Sequence, residues 1–88
     1  MSGQMRGMPA ENAAGRHPST VHLASLFDYS HLSGDLVRLS EACSDLAAEM
    51  IRKLPDGPEL TTGLRKLWEA KNCFVMAGVL RLRESKED

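Results

Sequence analysis

The stretch Leu54-Pro55-Asp56-Gly57-Pro58-Glu59-Leu60 constrains this chain more than any other, because it joins two long apolar periodicities and opens the second with a built-in cap. Asp56 is spaced to accept from the backbone amide near Glu59, and Glu59 to reach back to the amide of Asp56. That reciprocal arrangement satisfies two of the donors left open at a helix start. The predicted unit is a hairpin of two helices. Both helices carry broad apolar stripes, which a single hairpin cannot hide by folding in half, so self-association is expected before any activity.

The first long helix is predicted from Gly34 to Leu54, with Ser33 or Asp35 as its cap. Along it Leu32, Leu36, Leu39, Cys43, Leu46 and Met50 recur at steps of four and three, and Val37, Ala47, Ile51 and Leu54 widen that seam to one side. The second helix is predicted from Pro58 to Leu82. Leu60, Leu64, Leu67, Phe74 and Gly78 repeat the same steps, with Lys71 in the gap and Trp68, Val75, Val79 and Leu82 on adjacent rows. A glycine inside a helix costs about 1 kcal/mol relative to alanine, so Gly78, with Ala70 and Ala77, points to a close helix crossing.

Ahead of the hairpin, His17-Pro18-Ser19-Thr20 reads as a boundary: proline biases its predecessor away from helix, and Ser or Thr can cap a helix that starts after it. Val21, Leu23, Ala24, Leu26 and Phe27 then predict one or two helical turns. Met1 to Thr20 hold three Gly and two Pro, with no apolar spacing that returns to one face. The expected organisation is a disordered N-terminal segment over 1–20, a helical hairpin for oligomerisation and ligand binding over 21–83, and a polar tail over 84–88. The fold class is all-α: an antiparallel two-helix hairpin with a short preceding helix, assembled into a homo-oligomeric helical bundle. A folding unit this small usually needs a metal, a disulfide or a partner chain.

Several chemistries are set aside by spacing. Cys43 and Cys73 are single, without a Cys or His two to four residues away, so both are expected to be buried reduced thiols suited to a reducing cytosol. His17, His22 and His31 offer no i, i+4 pair, the serines lie in no nucleophile elbow, and Gly3, Gly7 and Gly15 are too scattered to cradle a phosphate. No catalytic residue, cofactor or metal ligand is assigned, and the protein is not expected to be an enzyme. No stretch approaches the roughly 20 apolar residues that span a bilayer, and no export signal is expected.

Charge is divided along the chain, although the formal total is only -1. Tyr29 to Glu59 hold six acids against three bases, whereas Leu60 to Arg83 hold five bases against the single acid Glu69. Mutual attraction between neighbouring helices explains this, and so does an anion held between subunits. A nucleic-acid polymer is a weak candidate for that anion, since the chain is slightly acidic and has one Tyr and one Trp. Phe27-Asp28-Tyr29-Ser30-His31 is an aromatic and hydrogen-bonding cluster just before a helix, and a bound nucleotide could stack a base on Tyr29. Lys71 either snorkels from the edge of the apolar band or contacts an anion at a subunit junction.

Phe27-x-Tyr29-x-His31, the Leu54–Leu60 turn and Leu64-Arg65-Lys66-Leu67-Trp68-Glu69-Ala70-Lys71 together resemble the small phage-encoded hairpin-domain proteins that sequester cyclic-nucleotide immune signals, the anti-CBASS and anti-Thoeris sponges. The resemblance covers roughly Leu26 to Val79. It implies a homo-oligomer, often a hexamer, with pockets between protomers that bind a cyclic dinucleotide, a cyclic trinucleotide or glycocyclic ADP-ribose without cleaving it, in the bacterial host cytoplasm. By position, Tyr29 would stack on a base, and Arg65 and Lys71 would meet phosphates. The candidate ligand-binding set is Tyr29, His31, Arg38, Arg65 and Lys71. Many members carry a Trp-Ala-Asn run after the Glu-Ala pair, where this chain has Lys71-Asn72-Cys73-Phe74-Val75-Met76. The alternative reading is a helical phage adaptor or structural assembly protein with no small-molecule ligand.

Overall fold

A computed structural model describes residues 8–29 and 34–87. Four helices account for most of it: α1 (Pro9–Asn12), α2 (Pro18–Ser25), α3 (Asp35–Lys53) and α4 (Pro58–Glu87). The described residues contain no strand, in keeping with the all-α expectation. α3 and α4 pack along one another, α1 lies on α3, and α2 bridges α3 and α4. Leu60 and Leu64 of α4 sit beside Met50 and Leu54 at the end of α3. Farther along α4, Gly78 meets Leu36 and Leu39 at the beginning of α3.

The close crossing expected at Gly78 is present. A Cβ there would stand 2.9 Å from Leu39 Cδ1 and 3.0 Å from Leu36 Cδ2. α4 runs five residues past the predicted end at Leu82, so the polar tail expected at 84–88 is helical through Glu87. α3 starts from Gly34, whose φ of +65° favours glycine, without a side-chain cap. Asp35 is its first residue rather than its cap, and Ser33 lies outside the described residues.

The core corrects two expectations. Residues 8–20, part of the 1–20 segment read as disordered, contribute α1 and buried side chains: Ala13 and Thr20 are fully buried, and Pro9 is buried with them. The buried face of α3 is formed by Ser40, Cys43, Ser44, Ala47, Ala48 and Ile51, while Leu39 and Leu46 of the predicted seam stay 37% and 46% exposed. The buried stripe is thus turned by roughly one residue's step, about 100°, from the leucine row. The cause is α1 and α2, which approach the small-residue face of α3 closely and seat Phe27, Leu23 and Ala24 against Ala47, Ile51, Leu60 and Leu64. Leucines on the other row keep an unpartnered surface. Cys43 is buried as expected, but Cys73 faces solvent.

The capping box at the interhelical turn does not form. α4 begins at Pro58, and the Thr61 amide donates to Gly57 O at 3.1 Å, which makes Gly57 the cap position and moves Glu59 one place too early for a box. Asp56 has another task. Its Oδ1 accepts from Thr20 Oγ1 at 2.8 Å and from Arg16 Nε at 3.1 Å, and its Oδ2 accepts from the His17 amide at 3.1 Å. Arg16 also donates to the carbonyls of Ile51 (2.6 Å) and Leu54 (2.7 Å), the open end of α3. Gly15, at φ +82°, turns the chain so that Arg16 can reach them. With Thr20 engaged, α2 is capped by His17, whose Nδ1 accepts from the Ser19 amide at 3.0 Å.

Candidate functional site

The docking of α2 against α4 leaves an open cleft of about 630 Å³. α4 supplies Thr61, Thr62, Arg65 and Lys66 to one wall, and the first turns of α2 supply Ser19 and His22 to the other. Helical spacing explains the α4 set: residues at i, i+4 and i+8 share a face, which aligns Thr61, Arg65 and Glu69 along the cleft. Arg65 holds its guanidinium 5.8 Å from the ring centroid of Trp68, a cation–π geometry that fixes the side chain while leaving its N–H donors free.

Among the described residues neither Arg65 nor Lys66 forms an ion pair with a carboxylate, Glu69 of the same cleft included. Thr61 donates its hydroxyl back to Gly57 O and Pro58 O, both at 3.2 Å, which leaves its oxygen as an acceptor. Two cations, a histidine and several hydroxyls against one carboxylate make a surface that can hold an anion by charge-assisted hydrogen bonds while accepting from a polar ligand edge.

The five predicted ligand-binding residues do not share one pocket of a single chain. Arg65 lines the α2–α4 cleft. Arg38 stands with Arg81, Asp35 and Gly78 around a separate cavity of about 410 Å³. The two sites are separated by the 16 helical steps from Arg65 to Arg81, about 24 Å of helix. Lys71 is buried in the α3–α4 seam, 8% exposed, close enough for its charge to oppose the rise that burial imposes on the Cys43 thiol. Tyr29 is half-buried just beyond α2; burial first, then the carboxylates of Glu41 and Asp45, push its phenol above the ordinary value. His31 lies outside the described residues.

The residues facing Arg65 across the cleft were missed, because Ser19 and His22 belong to a stretch read as a boundary followed by a short apolar segment. The available signal was the second proline-initiated helix start: Arg16-His17-Pro18 parallels Asp56-Gly57-Pro58, with opposite charges two residues ahead of each proline. Among the described residues, no group of His, Cys, Asp and Glu could hold a metal ion, and no helix is long and apolar enough to cross a membrane.

Comparison of the chain with protein-family models, with curated proteins and with solved structures returned no match.

Proposed function

We propose that this protein is a non-catalytic sponge, a phage immune-evasion protein that binds and sequesters a cyclic oligonucleotide or cyclic ADP-ribose-type second messenger of bacterial antiphage defence in the host cytoplasm. The observation that carries the reading is the α2–α4 cleft, where Arg65 and Lys66 stand without carboxylate partners beside hydroxyl and imidazole groups. Phosphate contacts of this kind, with base stacking, support tight binding without any catalytic group. Sequestration needs a dissociation constant well below the signalling concentration, on the order of nanomolar, or about -12 kcal/mol.

The assembly is a homo-oligomer of hairpin protomers, a hexamer by the family likeness. Self-association is supported by the apolar surface a single chain leaves open: Leu39 and Leu46 of α3 and its C-cap Leu54, with Phe74, Met76, Leu80 and Leu82 of α4, are all between 37% and 54% exposed. Association also offers Arg38 a route to the same ligand as Arg65, since the pockets about 24 Å apart on one chain can face each other on two. That same surface favours the second reading, a helical adaptor or structural assembly protein whose apolar faces serve assembly alone.

Isothermal titration against cyclic GMP-AMP, cyclic di-AMP, cyclic tri-AMP and glycocyclic ADP-ribose separates the two. The sponge binds at least one of them tightly, and Arg65→Ala and Lys66→Ala each weaken that binding while the oligomer stays intact. Absence of heat with all four leaves the assembly reading standing.

A further inference from the structure

α2 is eight residues long, too short to hold itself as a helix, so the fixing of each of its ends matters. The C-terminal end is seated by apolar burial: Leu23, Ala24 and Phe27 are 5%, 1% and 1% exposed, and Ser44 Oγ donates to Phe27 O at 2.7 Å. The N-terminal end has no such seat. Pro18, Ser19 and His22 are exposed and face the cleft, and only the fully buried Thr20 anchors this turn from below. Its hydroxyl ends on Asp56, as does the His17 amide.

We infer that Asp56 is a positioning residue for the cleft: by gathering Thr20, the His17 amide and Arg16 on one carboxylate, it sets the first turn of α2 as the wall that faces Arg65. This inference rests on the cleft being the anion site proposed above. Three donors converge on two oxygens, which only a carboxylate satisfies in full. Asp56→Asn keeps a single acceptor oxygen and turns N–H bonds toward a donor. Arg16 stays attached through the carbonyls of Ile51 and Leu54, and Phe27 stays in the core, so the segment does not detach. The loss falls on the placement of Ser19 and His22 relative to Thr61, Thr62 and Arg65.

The test uses the full chain, wild type and Asp56→Asn, with inorganic pyrophosphate as the probe. Without ligand, amide exchange at Val21, His22 and Leu23 speeds up in Asp56→Asn by about tenfold more than that of the α3 amides. With pyrophosphate, the wild type shows resonance shifts at both Arg65 Nε and the His22 imidazole. Asp56→Asn keeps the Arg65 shift, loses most of the His22 shift and binds about fivefold more weakly, a selective loss that general destabilisation does not produce. Asp56→Glu, which restores the carboxylate, recovers part of the His22 shift. Unchanged exchange in α2, or an unchanged His22 shift and affinity in a variant whose α2 does loosen, overturns the inference. A wild type that binds neither pyrophosphate nor any cyclic nucleotide overturns the anion-site reading itself, and the coupling with it.

Discussion

Arg16 and Asp56, 40 residues apart in sequence, meet at 3.1 Å, each two residues ahead of a helix that begins with proline. The exchange between them is reciprocal. Arg16 serves the carbonyl end of α3 through Ile51 and Leu54, where the helix dipole favours a cation; Asp56 serves the amide at the start of α2, where it favours an anion. Together they tie the N-terminal segment to the interhelical turn, and so place the wall that faces Arg65.

The staple has an acid limit. Hydrogen bonds from the Thr20 hydroxyl and the His17 amide, with the Arg16 charge, hold the Asp56 carboxyl below its ordinary value. A depressed carboxyl adds stability that is complete above the unfolded value and is lost as pH falls through the folded one. Wild type therefore melts higher than Asp56→Asn at pH 7, keeps that margin down to about pH 5, and loses it progressively below about pH 4. Thermal melts of both proteins across that range check it; a margin that is constant down to about pH 3 contradicts it.

Two serines one turn apart on α3 carry opposite expectations. Ser44 donates to the Phe27 carbonyl at 2.7 Å, whereas Ser40 Oγ is buried without a hydrogen-bond partner among the described residues. Ser44→Ala is expected to destabilise by about 1–2 kcal/mol and Ser40→Ala to stabilise by up to about 1 kcal/mol. Urea denaturation midpoints of the two variants, moving in opposite directions, test this; a common direction contradicts it.

This pair also marks how much was legible in the sequence. The 3.6-residue periodicity and the Pro-Asp-Gly-Pro break locate α3 and α4 to within a residue or two at most ends, since local chemistry decides where a helix starts and stops. Which face of α3 is buried is decided by the elements that lie on it. Ser40, Ser44, Ala47 and Ala48 form a shallow row that the leucines outweigh in any hydrophobic count, and they become core only because α1 and α2 settle there. The N-terminal segment has too few large apolar residues to signal burial. Its attachment depends on Arg16, Thr20 and Asp56, whose meeting is a long-range fact that spacing does not carry. Arg65 was readable as a cation on α4, but its companions Ser19 and His22 come from across that attachment.

The two glycines inside α4 differ. At Gly63 a Cβ would find nothing within 4 Å, while at Gly78 it would be crowded by Leu36 and Leu39. Gly63→Ala should gain helix propensity freely and stabilise by about 0.5–1 kcal/mol. Gly78→Leu should cost about 1–3 kcal/mol by overpacking the crossing, with Gly78→Ala between them because only leucine methyl ends need to shift. Thermal or chemical melts rank the three; a stabilising Gly78→Leu contradicts the close crossing.

Self-association is checked by sedimentation. At micromolar concentration the wild type is expected well above the 9.7 kDa of one chain, and Leu46→Glu, which puts a charge on the exposed leucine row, shifts it toward monomer. A folded wild-type monomer that Leu46→Glu leaves unaltered contradicts the proposed assembly.

The proposed activity is capture without turnover. Wild-type protein is saturated with each cyclic nucleotide it binds, separated from free ligand, heated to denature the chain, and the released molecule identified by chromatography and mass spectrometry. Recovery of the intact cyclic molecule in stoichiometric proportion is expected after prolonged incubation, with loss of that recovery in Arg65→Ala. A linear or cleaved product, or no recovered nucleotide at all, contradicts it.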